Sequence, residues 1–209
     1  MHDLRRQMQQ KFPAAHKLTF IEKRPASSYV ECPSFEPGQV SEIVSQQEST
    51  GISLVLLNIL NSPRELPVAL IDAHDSFDPA SYGNASCAKL LWLRCQKTAH
   101  AIQCADLLLR DGNLPLVLLD LHLACDRELR QVPLATWQRF KNEARSSGTT
   151  FVALTPRQIV PTPHKRFSTD SSFSLENLEL KRPRPRFIVS DGKIENQPTS
   201  YHLRSSTAS

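Results

Sequence analysis

The segment Ser45-Gln46-Gln47-Glu48-Ser49-Thr50-Gly51-Ile52-Ser53 stands between a strand-like run and a helix-like one, where an α/β chain would place a phosphate-binding loop. Such a loop needs G-x-x-x-x-G-K-[ST]: glycines for close backbone approach, a lysine for the β/γ-phosphates and a hydroxyl for magnesium. Here Ser45 stands at the first glycine, one residue is inserted, and Ile52 holds the lysine position. Only Gly51 and Ser53 keep the pattern. An aliphatic side chain cannot neutralise phosphate charge, and that neutralisation carries most of the catalysis in phosphoryl transfer. Asp120, closing the apolar run Leu116-Val117-Leu118-Leu119, could be a magnesium ligand, a strand-end cap or an inter-strand partner.

His74 and Asp75, with Asp72 and Asp78, could be drawn as a metal or acid–base site. The plainer expectation is a polar loop after a strand, with Asp78-Pro79 opening a helix. His122, two residues past Asp120, has no serine or cysteine partner nearby and is expected to be a buried or edge histidine. Trp92 and Trp137 are expected in the core. The five cysteines (32, 87, 95, 104 and 125) show no CxxC spacing, which predicts reduced, mostly buried thiols in a cytoplasmic setting and no disulfide framework or zinc knuckle.

These residues must be positioned by alternating elements. Strand-like runs fall at Gln39–Val44, Val68–Ala73, Leu90–Arg94, Leu116–Asp120 and Thr149–Leu154. Helical spacing falls at Ile52–Leu60, at Ala101, Ile102, Ala105, Leu108 and Leu109 before Gly112, and at Leu134, Trp137, Phe140 and Ala144 before Gly148. Strands alternating with helices of this length predict βαβ units, hence a mainly parallel sheet with helices on both faces. Phe173, Leu175, Leu178 and Leu180, then Phe187-Ile188-Val189, an Asp191-Gly192 turn and Lys193-Ile194, predict antiparallel C-terminal strands. Residues 1–16 suggest a short amphipathic helix.

Composition allows one well-cored domain in 209 residues, 40% of them hydrophobic. No run approaches the roughly 18 apolar residues of a membrane span, and no apolar segment near Met1 suggests a secretory signal. The net charge of +4 is uneven. Residues 1–156 carry 16 basic and 16 acidic residues, whereas residues 157–209 carry 9 and 5. Arg157, His164, Lys165 and Arg166 form one basic cluster, and Lys181, Arg182, Arg184 and Arg186 a second. Either cluster could neutralise nucleic-acid phosphates without reading sequence, or be a solvated connector whose prolines block a sheet edge. The first 24 residues, with Arg5, Arg6, Lys11, Lys17, Lys23 and Arg24, are also basic.

In order and spacing, Gly38–Val44 with Ser53-Leu54, Ile71-Asp72-Ala73-His74-Asp75-Ser76-Phe77-Asp78-Pro79, Asp106–Gly112 and Leu116–Asp120 resemble the RecA superfamily, over about residues 38–156. Leu90-Leu91-Trp92-Leu93-Arg94 and Leu4-Arg5-Arg6…Phe12-Pro13 are most similar to its ImuA branch, with the SulA division inhibitors more distant. The resemblance implies a RecA-like, mainly parallel twisted sheet flanked by helices. Its divisions would be a basic arm (1–24), a core (25–156), a basic loop with antiparallel strands (157–200) and a disordered tail (201–209). Carried across, the phosphate-binding lysine falls on Ile52, the water-activating glutamate on His74, the Walker B aspartate on Asp120 and the γ-phosphate-sensing glutamine on Pro156. The implied protein is a non-catalytic accessory of translesion synthesis in the SOS response, holding no cofactor and no metal. Its implied partners are a Y-family polymerase-like protein, an error-prone polymerase, RecA and DNA. Arg5, Arg6 and Phe12 would serve partners, and Arg157, Lys165, Arg166, Lys181, Arg182, Arg184 and Arg186 would serve DNA. The alternatives are a SulA-like inhibitor of cell division and a residual nucleotide-binding ATPase.

Overall fold

A computed structural model of the protein describes residues 29–30, 33–45, 51–62, 67–169 and 187–191. Its strands are β1 (Tyr29–Val30), β2 (Val40–Val44), β3 (Val68–Asp72), β4 (Leu90–Arg94), β5 (Leu116–Asp120), β6 (Thr150–Thr155), β7 (Lys165–Thr169) and β8 (Phe187–Asp191). Its helices are α1 (Ile52–Asn61), α2 (Asn84–Cys87), α3 (Thr98–Asp111), α4 (Asp126–Arg130) and α5 (Leu134–Ser147), with a 3-10 turn at Pro79–Ser81. The strands form one sheet in the order β1-β8-β7-β2-β6-β5-β3-β4. The six from β7 to β4 are parallel, and β8 runs antiparallel to β7 and β1. The expected fold class is observed: a mainly parallel sheet, helices on both faces, antiparallel strands at its C-terminal end.

The central strands are apolar runs because both faces are covered. Val40, Ala69, Ile71, Val117, Leu119, Phe151 and Ala153 pack against α3 and α5 through Ala101, Ala105, Leu109, Trp137, Phe140 and Ala144. On the other face Ile43, Leu70, Leu118, Val152 and Leu154 meet Ile52, Val55, Leu56 and Ile59 of α1, with Phe77, Phe167 and Phe187. Helices α3 and α5 end where glycine permits a left-handed residue, at Gly112 (φ 68°) and Gly148 (φ 75°). Trp137 is 2% exposed and lies in the core as expected, whereas Trp92 is half-buried.

Two expectations change. Residues 165–169, assigned to a basic loop, are strand β7, which joins β2 to β8. The boundary placed at 156/157 therefore falls inside one sheet. The thiols also differ: Cys95 is buried and Cys87 and Cys104 are half-buried, but Cys125 is exposed. The expected N-terminal helix, the strand at 173–180, the 191–194 turn beyond Asp191, Cys32 and the tail from 201 lie outside the described residues.

Candidate functional site

In open parallel sheets, ligands bind outside the carboxyl ends of the strands, where successive connections leave by opposite faces. Here α1 follows β2 over one face, while α3 and α5 follow β4 and β5 over the other. The residues at that edge are Ser45, Asp72, Asp120 and Pro156, with the start of α1. Asp72 and Asp120 are paired in register on neighbouring strands and are 0% and 3% exposed. Two carboxylates there could hold a divalent ion, but each is turned to donors of its own.

Asp72 holds the loop after β3. Its Oδ1 accepts from the Ser76 backbone N (3.0 Å), the His74 backbone N (3.3 Å) and Ser76 Oγ (3.3 Å). Its Oδ2 accepts from the Phe77 backbone N (2.8 Å) and Trp92 Nε1 (3.4 Å). The Asp120 Oδ1 takes both the backbone N of His122 (3.0 Å) and its ring Nδ1 (2.6 Å). Burial pushes the His122 imidazole down, but the hydrogen bond and charge of Asp120, with Asp72 behind it, push it up further, and the net shift is upward. Asp120 thus has the geometry of a strand-end cap bonded to its own loop.

The nucleotide-site positions are likewise engaged internally. Gly51 caps α1 in the left-handed conformation (φ 80°), and the loop 46–50 before it lies outside the described residues. Ile52 is 7% exposed and belongs to the apolar cluster under α1. The Ser53 hydroxyl lies close to Tyr82, whose phenol is pushed up by burial. Tyr82 stacks on Phe77 (centroids 4.6 Å apart), which meets Trp92 edge-on at 5.4 Å. Pro156, half-buried, follows the last residue of β6.

His74, where the resemblance would put a water-activating glutamate, turns to α4. Its Nε2 lies 3.4 Å from Glu128 Oε2 and 3.4 Å from Thr98 Oγ1, and Thr98 donates to Glu128 at 3.2 Å. A carboxylate therefore stands beside this position, supplied by α4. Asp75, in the left-handed region at φ 54°, accepts both its bonds from Arg94 at 2.6 Å, which holds its carboxyl below the ordinary range. The Arg94 guanidinium in turn lies 4.8 Å from the Trp92 ring centroid. Asp78 caps the 3-10 turn through Ala80 N and Ser81 Oγ, as expected of Asp78-Pro79. Asp72, Asp75 and Asp78 therefore serve separate sets of donors, and among the described residues no group of three His, Cys, Asp or Glu side chains is arranged to hold a metal. Burial, with the Cys104 thiol beside it, pushes the Cys95 thiol up to about 11, the environment of an inert sulfur.

The basic cluster at 157–166 needs correction. Arg166 is 1% exposed and cannot reach a nucleic acid. Its Nε donates to Glu42 Oε2 (2.6 Å) and an Nη to the Val160 carbonyl (2.7 Å). The other Glu42 oxygen accepts from Thr155 Oγ1 (3.1 Å), Ile159 N (2.8 Å) and Val160 N (3.0 Å), so one buried pair fixes the 156–164 loop. Arg157 pairs with Asp126 at 2.8 Å. His164 and Lys165 both reach Glu36 at 3.0 Å and hold its carboxyl below the ordinary range. Arg5, Arg6, Phe12, Lys181, Arg182, Arg184 and Arg186 lie outside the described residues.

Tyr82, Thr98 and Glu128 escaped the sequence reading because no motif joins them. The one signal was Glu42: a carboxylate inside a buried strand demands a cation, though the sequence does not say which. Among the described residues no helix is long and apolar enough to cross a membrane. No protein-family model matches the sequence, and no curated protein matches it. The chain is similar in structure to the RadB recombinase, at 14% sequence identity and a TM-score of 0.49, over 66% of this chain and 76% of that one.

Proposed function

We propose that this protein is a non-catalytic member of the RecA superfamily, of the ImuA type, serving bacterial translesion synthesis by binding other proteins. The observation that carries the non-catalytic half is the state of Asp120: its Oδ1 is taken by the backbone and ring of His122. Ile52 in the apolar cluster agrees with it. Among the described residues such a site offers no lysine for a γ-phosphate and ties one Asp120 oxygen to its own loop. The partner half, a Y-family polymerase-like protein with an error-prone polymerase and RecA, is supported by the resemblance at Ile71–Pro79 and Leu90–Arg94. A role for DNA would fall to the second basic cluster, Lys181 to Arg186, since the first is neutralised within the fold.

Deletion of the gene should reduce damage-induced mutagenesis, and a copy carrying Asp120→Ala should restore it. Unchanged mutagenesis on deletion would refute the proposal. Filamentation on overexpression with unchanged mutagenesis would move the assignment to a division inhibitor.

A further inference from the structure

We propose that β4, an edge strand of the sheet, pairs antiparallel with β4 of a second copy of the chain, joining two sheets across a two-fold axis. Strand β4 stands last in the sheet order, and among the described strands it pairs with β3 alone. The Lys89 carbonyl accepts from Val68 N, and Cys95 N donates to the Asp72 carbonyl. Residues two apart on a strand point the same way, so Leu91 and Leu93 also turn their backbone groups to β3. Leu90, Trp92 and Arg94 therefore turn theirs outward, and among the described residues no backbone group meets them. Such edges are ordinarily blunted by proline, a bulge, an inward charge or a covering segment. The run Leu90-Leu91-Trp92-Leu93-Arg94 has no proline, and its pairs with β3 follow one another without a bulge. Every position of β5 and β6 is buried, whereas Leu91 of β4 is 45% exposed.

The pattern of the strand itself selects the occupant. In an antiparallel pair, opposite residues exchange both backbone bonds at alternate positions. With the axis at Trp92, that residue meets its own copy and Leu90 meets Arg94 of the second copy, so every outward group on both strands is matched. Between them Leu91 faces Leu93 of the second copy, at the positions where cross-strand side chains lie closest. Charge does not oppose the pairing. Arg94, the one charged residue of the strand, is bonded to Asp75 at 2.6 Å and lies 4.8 Å from the Trp92 ring centroid. With Arg94 engaged in its own chain, the edge has no charge left to select an acidic or a basic strand. It offers a row of backbone groups and an exposed leucine, and an identical strand complements both.

Sedimentation velocity of the full chain over a range of concentrations tests this. A dimer that dissociates on dilution is expected, because the contact is short and belongs with small interfaces. Leu91→Lys sets two lysines diagonally across the axis, within reach of each other, and should raise the dissociation constant roughly tenfold or more. Leu91 is exposed, so the variant should melt with the wild type. Hydrogen exchange followed residue by residue gives the second readout. The amides of Leu90, Trp92 and Arg94 should slow as the wild-type concentration rises and stay fast in Leu91→Lys. A chain that remains monomeric at every concentration, or a dimer that Leu91→Lys leaves intact, would overturn the proposal. So would slow exchange of those amides in the monomer, a result that would assign the edge to another segment of this chain.

Discussion

Replacing Arg166 by methionine should damage the fold and leave nucleic-acid binding untouched. The guanidinium is 1% exposed, and its partner Glu42 is 0% exposed. Methionine keeps much of the volume but leaves the Glu42 carboxylate buried on three remaining donors, Thr155, Ile159 and Val160, and strips the Val160 carbonyl of its donor. Breaking a buried pair from one side costs about 3–5 kcal/mol, a large part of the roughly 5–15 kcal/mol that holds a domain together. For a chain of this size that lowers Tm by roughly 6–20 °C. The second variant, Glu42→Gln with Arg166→Met, separates charge from packing. All three remaining donors go to one oxygen of Glu42, which an amide carbonyl can replace, so the double variant should recover at least half of the loss. Urea unfolding followed by circular dichroism measures both, and anisotropy with a labelled oligonucleotide measures binding. An Arg166→Met protein as stable as the wild type, or one that loses oligonucleotide affinity while staying folded, would refute the structural assignment of Arg166.

The His122–Asp120 pair makes stability depend on pH. Because the folded imidazole is shifted upward, its contribution is fully present below the unfolded value of about 6.5 and is lost as pH rises through the folded value. The Tm difference between wild type and His122→Gln should therefore shrink on going from about pH 5 to about pH 9, and a difference that grows with pH would contradict the geometry. Ile52→Lys restores the residue a phosphate loop requires, but into the apolar cluster under α1. It should cost about 1–3 kcal/mol even with the ammonium reaching toward solvent, and thermal unfolding with added Mg·ATP should show no ligand-dependent rise in Tm.

The parallel core was legible because each buried strand is a continuous apolar run and each long helix after β4 and β5 ends on a glycine. Strand β7 was not. Lys165-Arg166-Phe167-Ser168-Thr169 has no apolar run, and its place is set by pairing with β2 and β8 and by the Glu42–Arg166 bond across 124 residues. Local charge density made the same residues look like a solvent-facing loop. Within β2, Glu42 fitted a polar–apolar alternation, yet every position of the strand is buried. That Ile52, His74 and Pro156 stand where the resemblance would place a lysine, a glutamate and a glutamine was legible in the sequence. Their surroundings were not: Tyr82 near Ser53, Glu128 beside His74 and Trp92 on Asp72 come from separate elements that only the fold brings together.

Titration of the purified full chain with Mg·ATP, by calorimetry and by phosphate release, bears most directly on the proposed lack of nucleotide chemistry. The account predicts no saturable heat and no phosphate release, with Asp120→Ala indistinguishable from wild type. Saturable binding or turnover that Asp120→Ala abolishes would contradict it.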